Sequence, residues 1–281
     1  MRINPSILVC ICCTAFTPAF AADKSAVVTL SEAPAAVQKA INARVGDGKL
    51  GAINKTTEGE ETVYDVDLTG KDGQDRDFTV AEDGTLMSTQ VTLIETPAAV
   101  QKSIQSLARE GEVECIDKWL DGLNITYDVS LTMKDGREKG FTLDDAGTLL
   151  SLEVSLTEPP GVVQKTIQAE MAGGKLERID KMLGEDGTSY DVMVTAKDGR
   201  EKSFTVADDG KLVSQRVTLE ETPPPVRNTI RERMGHGTIL RIDKSFVKNK
   251  GVLPYEVQGR KDGKPCDFSV GPKGRFLGSD D

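Results

Sequence analysis

The sequence predicts an α+β fold: four tandem repeats of one helix packed on a four-stranded antiparallel meander. Three observations carry this. Val37, Val100, Val163 and Val226 stand 63 residues apart, as do Ile41, Ile104, Ile167 and Ile230, and self-similarity at a fixed period marks a repeat architecture. Within each period a helical pattern of apolar residues gives way to residues that alternate. Asp-Gly pairs, a strong hairpin signal, separate the alternating runs.

Each element follows in order. Thr96-Pro97 pairs an N-cap residue with a proline expected at the first helical position. Val100, Ile104 and Leu107 follow at helical spacing and give the helix one apolar face. Gly111 is read as the stop, with Gly46/Gly48, Gly173-Gly174 and Gly235/Gly237 in the other copies. A first strand follows, over Lys49–Lys55 and its counterparts. In the second, Tyr64, Val66 and Leu68 face one way and Asp65 and Asp67 the other. Lys71-Asp72-Gly73 turns the chain, as do Lys134-Asp135-Gly136, Lys197-Asp198-Gly199 and Lys261-Asp262-Gly263. Phe78 and Val80 mark the third strand and Glu82-Asp83-Gly84 the next turn. Met87, Val91 and Leu93 mark the fourth strand.

Tyr64, Tyr127 and Tyr190 keep the 63-residue step, and so do Phe78, Phe141 and Phe204. In the fourth copy Tyr255 comes two residues late and Phe268 one late, implying an insertion near Val247–Gly251 and a deletion after Tyr255. The expected divisions are a leader over 1–21 and repeats over 22–93, 94–156, 157–219 and 220–281. Val28-Thr29-Leu30 lies ahead of the first helix as Val91-Thr92-Leu93 lies ahead of the second. The end of each fourth strand is therefore expected to dock on the following unit.

Met1-Arg2, the apolar run from Ile7 to Ala15 and Ala19-Phe20-Ala21 read as a secretory signal peptide cleaved near Ala21. The expected localisation is periplasmic or secreted, with no transmembrane segment in the mature chain, because a spanning helix takes about 20 apolar residues. Loss of Arg2 takes the formal charge from −10 to −11. That balance argues against nucleic acid, whose phosphates require a basic surface. Of five cysteines, Cys115 and Cys266 lie beyond the leader. The compartment permits a bridge between them, and their spacing leaves the pairing open.

No catalytic machinery is legible, and the expectation is a non-enzyme with no cofactor and no metal. His236, the single histidine, lies between Gly235 and Gly237 and reads as an exposed turn residue. No cysteine pair has zinc-ligand spacing, and no phosphate loop or nucleophile elbow occurs. Asp144-Asp145 and Asp208-Asp209 fall in repeated turns, where turn chemistry accounts for them. Tyr64, Tyr127, Tyr190, Tyr255, Phe78, Phe141, Phe204 and Phe268 recur at inward strand positions and are assigned to the core.

One feature falls outside the scaffold. The connection between strands one and two reads Trp119-Leu120, Met182-Leu183 and Phe246-Val247 in three copies, against Thr56-Thr57 in the first. Apolar residues at a hairpin tip are unusual unless something covers them. Two readings stand: each tip packs within the fold, or the six residues form an edge that binds a protein partner.

The helix start Pro97-Ala98-Ala99-Val100-Gln101-Lys102, the strand Leu176-Glu177-Arg178-Ile179-Asp180-Lys181, the Tyr190-Asp191-Val192 pattern and the closing Val206-Ala207-Asp208-Asp209-Gly210-Lys211-Leu212 resemble PepSY-like domains. These are grouped with the tandem repeats of beta-lactamase inhibitory proteins. The resemblance implies an exported module that binds an unidentified protein, or inhibits an envelope or secreted enzyme such as a peptidase. A structural envelope repeat protein with weak cation binding is the alternative.

Overall fold

A computed structural model describes residues 25–58, 61–121, 124–184, 187–248, 251–261 and 264–279. The expected leader, the Asp262-Gly263 turn and the middle of the Val247–Gly251 insertion lie outside the described residues. In chain order the elements begin with β1 (Ala26–Val27), α1 (Ala35–Val45), β2 (Lys49–Glu58), β3 (Glu61–Thr69), β4 (Phe78–Ala81) and β5 (Leu86–Gln90). The second repeat supplies α2 (Ala98–Leu107), β6 (Gly111–Asp121), β7 (Asn124–Met133), β8 (Glu138–Asp144) and β9 (Leu149–Glu153). The third supplies α3 (Gly161–Met171), β10 (Lys175–Gly184), β11 (Gly187–Thr195), β12 (Glu201–Ala207) and β13 (Leu212–Arg216). The fourth supplies α4 (Pro224–Met234), β14 (Thr238–Ser245), β15 (Tyr255–Lys261), β16 (Lys264–Pro265), β17 (Phe268–Val270) and β18 (Phe276–Ser279).

The chain divides into two compact units, one of residues up to Leu152 without 57–61, the other of 57–61 and Glu153 onward. In the first, each strand from β1 to β9 hydrogen bonds to the next in antiparallel order. The second runs likewise from β10 to β15, then through β17 to β18, with β16 a short side rung on β15.

This corrects the expected architecture. Eighteen strands and four α-helices among the described residues make the molecule mainly antiparallel sheet rather than four separate helix-on-meander units. Inside the first unit β5 pairs with β6, placing Ser88 opposite Trp119 and Gln90 opposite Asp117. Inside the second, β13 pairs with β14, placing Ser214 opposite Ser245. A meander that stopped at its fourth strand would leave a row of backbone N–H and C=O groups without partners. Pairing with the following first strand satisfies them and carries the sheet through the repeat boundary.

The coupling segments do sit ahead of each helix. The Val28, Val91, Val154 and Val217 amides donate to the Ile53, Ile116, Ile179 and Ile242 carbonyls, each at 2.9 Å. The fourth strand itself ends sooner than its apolar spacing suggests. Gln90 closes β5, and Leu93–Glu95 forms a 3-10 turn. The amide and hydroxyl of Thr92 both donate to the Glu95 carboxylate at 2.7 Å.

The prolines also shift by one place. Pro34, Pro97, Pro160 and Pro223 stand at the N-cap, not the first helical position, with extended ψ near 150°. Thr96 is buried behind Pro97, and the Gln101 side-chain amide donates to its carbonyl at 2.8 Å. α2 ends at Leu107, while Gly111 opens β6.

One side of the sheet carries the helices. Val37 and Ile41 of α1 pack on Ile53, Tyr64, Val66, Leu68, Phe78 and Val80. Val100 and Ile104 of α2 repeat this with Ile116, Tyr127, Val129, Leu131 and Phe141. Val226 and Ile230 of α4 do so with Ile242, Tyr255, Val257 and Phe268. All eight recurring aromatics are buried, as their period implies. A fully buried Val, Ile or Phe contributes about 1.5–3 kcal/mol over an exposed one, so two helix residues and a handful of strand residues seat each helix. The turn between strands three and four completes the seat. Gly147 has φ +79°, and a Cβ there would lie 2.7 Å from the Ala99 carbonyl oxygen on the helix's first turn. Only glycine combines that conformation with that approach.

Candidate partner-binding face

The other side of each sheet follows from alternation. Residues between the core positions point away from the helices, and cross-strand register sets who meets whom. In the first unit Asp117 lies opposite Asp128, Asp128 opposite Thr142, and Thr142 opposite Ser151. In the second, Asp180 lies opposite Asp191, Asp191 opposite Thr205, and Thr205 opposite Ser214. Asp243 lies opposite Glu256. Like charges placed directly opposite repel, so these carboxylates need donors.

They have them. Thr142 Oγ1 donates to Asp128 at 2.7 Å, and Ser151 Oγ donates to Thr142 Oγ1 at 3.0 Å. Thr79 donates to Asp65 at 2.7 Å and Thr205 to Asp191 at 2.6 Å. Arg178 Nε holds both oxygens of Asp180, at 2.9 and 2.7 Å, and Arg241 Nε bonds Asp243. Asp128, Asp180 and Asp243 are only 8% exposed. Burial pushes the Asp65 and Asp191 carboxyls up; for Asp191 the Thr205 hydroxyl and Arg241 pull back down, while Asp180 and Asp243 add to the rise. Burial pushes the Arg216 guanidinium down, with Arg241 adding to the shift.

Three buried polar atoms have no partner among the described residues: Trp119 Nε1, Gln90 Oε1 and Asp243 Oδ1. Trp119 and Gln90 belong together. Ser88 faces Trp119 and Gln90 faces Asp117, so Gln90 stands diagonal to the indole on the helix-free side. A donor and an acceptor are thus held close without bonding each other. An unmade hydrogen bond on a buried group costs about 1–3 kcal/mol, so the pair is a place where a further polar group would be gained rather than displaced.

The six residues expected at strand tips are placed differently. Trp119 and Leu120 lie inside β6, and Met182 and Leu183 inside β10. Phe246 and Val247 lie just beyond β14. Trp119 pairs with Thr126 and Met182 with Ser189, which puts both on the helix-free side. Leu120 pairs with Ile125, which packs on the helix-side core, and Leu183 takes the matching place. In the fourth copy Ser245, opposite Ser214, holds the position of Trp119 opposite Ser88. Phe246 therefore matches Leu120; its amide donates to the Val213 carbonyl at 2.7 Å and Lys244 Nζ sits 5.0 Å from its ring. Val247 is 54% exposed. Within the second unit β10 and β14 have three strands between them, and four ladder spacings amount to roughly 19 Å. The six residues do not gather into one patch.

Gln90 was not legible as a site residue. Its equivalents, Val27, Glu153 and Arg216, differ in every copy, and that variation at one place in a regular scaffold is the signal that points to it.

The remaining chemistry is structural. Asp144 Oδ1 accepts the Thr148 amide at 2.7 Å, and Asp209 Oδ1 the Lys211 amide at 3.0 Å, which makes both acidic pairs turn residues. Cys266 carries a free thiol, so it does not bridge to Cys115. His236 is exposed in a turn. Among the described residues no group of three or more His, Cys, Asp or Glu is set to hold a metal ion. Among them, too, no helix is long and apolar enough to cross a membrane.

No family model and no curated protein matches the chain. Solved structures similar to it include a BLIP-like protein from Bacteroides fragilis, at 19% identity and TM-score 0.31, over 43% of this chain and 84% of that one. A DUF2874 family protein from Bacteroides ovatus is similar at 17% identity and TM-score 0.32, over 43% of this chain and 85% of that one.

Proposed function

We propose that the protein is an exported, non-enzymatic module that binds another protein, an envelope or secreted enzyme such as a peptidase being the class of target, through the helix-free side of its sheet. The repeats are assigned to the PepSY-like domains on the residues quoted above. The leader supports export to the periplasm or beyond. The carrying observation is Trp119 with Gln90: an aromatic on the helix-free side whose indole N–H, like the neighbouring amide oxygen, is buried and unbonded. Tryptophans that pair area with an available donor are favoured binding anchors.

The test is capture. The chain from residue 22 onward, immobilised, is exposed to envelope extract beside Trp119→Ser and Met182→Ser. A protein held by the wild type and lost from Trp119→Ser supports the reading. Equal retention by all three removes Trp119 from the interface, and no retention removes the reading. A second reading, a structural envelope protein that binds cations weakly, is favoured by the facing carboxylates Asp117/Asp128 and Asp180/Asp191. Millimolar calcium then raises the melting temperature, and Asp117→Asn reduces the rise.

A further inference from the structure

We infer that the fourth repeat holds a binding site for a small organic carboxylate, an apolar body with one anionic head, in a cavity beside the last turn of α4. The inference does not rest on the partner-binding reading above, because this cavity lies on the helix side of the sheet.

The cavity has a volume of about 270 Å³, and Arg233, Lys261, Cys266, Asp267, Phe268 and Phe276 are among the residues lining it. That is near the lower end for small-molecule sites, which start at roughly 300 Å³. Its walls can be compared with the other copies by their distance from the buried phenylalanine. Two residues ahead of it the first three copies carry a long cation, Arg76, Lys139 and Lys202, whereas the fourth carries Cys266. Eight residues beyond it stand Leu86, Leu149 and Leu212, then Phe276. Cys266 and Phe276 both pack on the core under α4. A shortened side chain leaves space because its surroundings close only partly. The fourth copy alone combines a short thiol with an aromatic wall at these two places.

The charges beside the cavity differ as well. In the first copy Lys71 pairs with Asp47 at 3.1 Å, and Arg44 donates to the Ala40 carbonyl at 3.1 Å. In the fourth, His236 takes the place of Asp47, six residues past the buried helix isoleucine. Lys261 Nζ donates instead to the Arg233 carbonyl at 2.9 Å. The Arg233 guanidinium lies over Phe276, 3.6 Å from the ring centre. Among the described residues no carboxylate forms an ion pair with Arg233 or Lys261. Asp267, the acid in the lining, accepts the Gly259 amide at 3.2 Å.

A lysine has three donors, and an arginine has a planar fork of them that matches a carboxylate. Two cations with donors to spare beside an aromatic wall therefore suit an anionic head on an apolar body. Asp267 favours a single charge: a dianion such as phosphate meets twice the repulsion and offers nothing to Phe268, Phe276 and Cys266.

Benzoate is the probe, titrated into the chain from residue 22 onward at constant ionic strength and followed by calorimetry. Binding in the millimolar range is expected, with inorganic phosphate and neutral benzamide at least tenfold weaker. Bound benzoate slows maleimide labelling of Cys266 several-fold, read by peptide mass. Cys266→Lys restores the residue that two other copies carry there and adds a positive charge, yet fills the cavity; affinity is expected to fall at least tenfold. Arg233→Leu, which gives α4 the residue that α2 holds at Leu107, changes an exposed position and carries the test if Cys266→Lys does not fold; the same loss is expected. No benzoate binding by the wild type overturns the inference. So does labelling of Cys266 that benzoate leaves unchanged, or phosphate or benzamide binding as tightly as benzoate. Undiminished binding by folded Cys266→Lys or by Arg233→Leu also overturns it, since general surface charge would then hold the anion.

Discussion

The two sides of the sheet are built from the same strands and obey different rules. On the helix side the four copies agree: Tyr64, Tyr127, Tyr190 and Tyr255 are all buried, as are Phe78, Phe141, Phe204 and Phe268. On the helix-free side, Thr56, Trp119, Met182 and Ser245 share one position, and Val27, Gln90, Glu153 and Arg216 another. Packing at near-crystalline density tolerates little change of volume, so the covered side repeats. The helix-free side instead answers its carboxylates with different chemistry from copy to copy, through Thr142, Thr205, Arg178 and Arg241. A repeat protein of this kind keeps its scaffold on one face and places its individuality on the other.

Phe141 and Thr142 are chain neighbours on opposite sides, and replacing each in turn gives the largest contrast. Phe141→Ala leaves a cavity under α2 and is expected to cost about 3–5 kcal/mol, read by chemical denaturation. Thr142→Val keeps the volume, removes the hydroxyl that serves Asp128 and Ser151, and is expected to cost about 1–3 kcal/mol. Equal losses at the two sites would mean that the helix-free side is packed as tightly as the core, and the contrast between the faces would fail.

The same contrast explains what was legible in the sequence. The period, the helices, the inward aromatics and the Asp-Gly turns were readable because burial and backbone geometry restrict those positions to a few residue types. The fusion of the meanders was not. Nothing in Leu86–Gln90 distinguishes a free edge from one paired to Gly111–Asp121, because the bonds are backbone bonds and any residue except proline can make them. The candidate site suffered from the same blindness to register. Phe246 was aligned with Trp119 by its aromatic character, whereas the pairing of Ser214 with Ser245 gives that place to a serine. Gln90 and Trp119 are 29 positions apart in the chain and become neighbours only through the β5–β6 ladder.

The smallest effect tests the seam rather than either face. Glu95 accepts from the Thr92 amide and hydroxyl and from Arg76, and the Thr92 hydroxyl, the largest of these influences, helps to bring its carboxyl down to about 2. A carboxylate whose folded value is depressed stabilises the fold above its unfolded value, near 4.3 for glutamate. That contribution is lost as pH falls through the folded value. The side chain is 39% exposed, so solvent screening keeps the effect small. Glu95→Gln is expected to lower stability at pH 7 by less than about 1 kcal/mol. The gap between variant and wild type should narrow as the pH drops below about 4.3 and close near 2. A gap that stayed constant across that window would assign the contribution of Glu95 to the shape of the 3-10 turn, since only an ionised carboxylate on Arg76 and Thr92 titrates away.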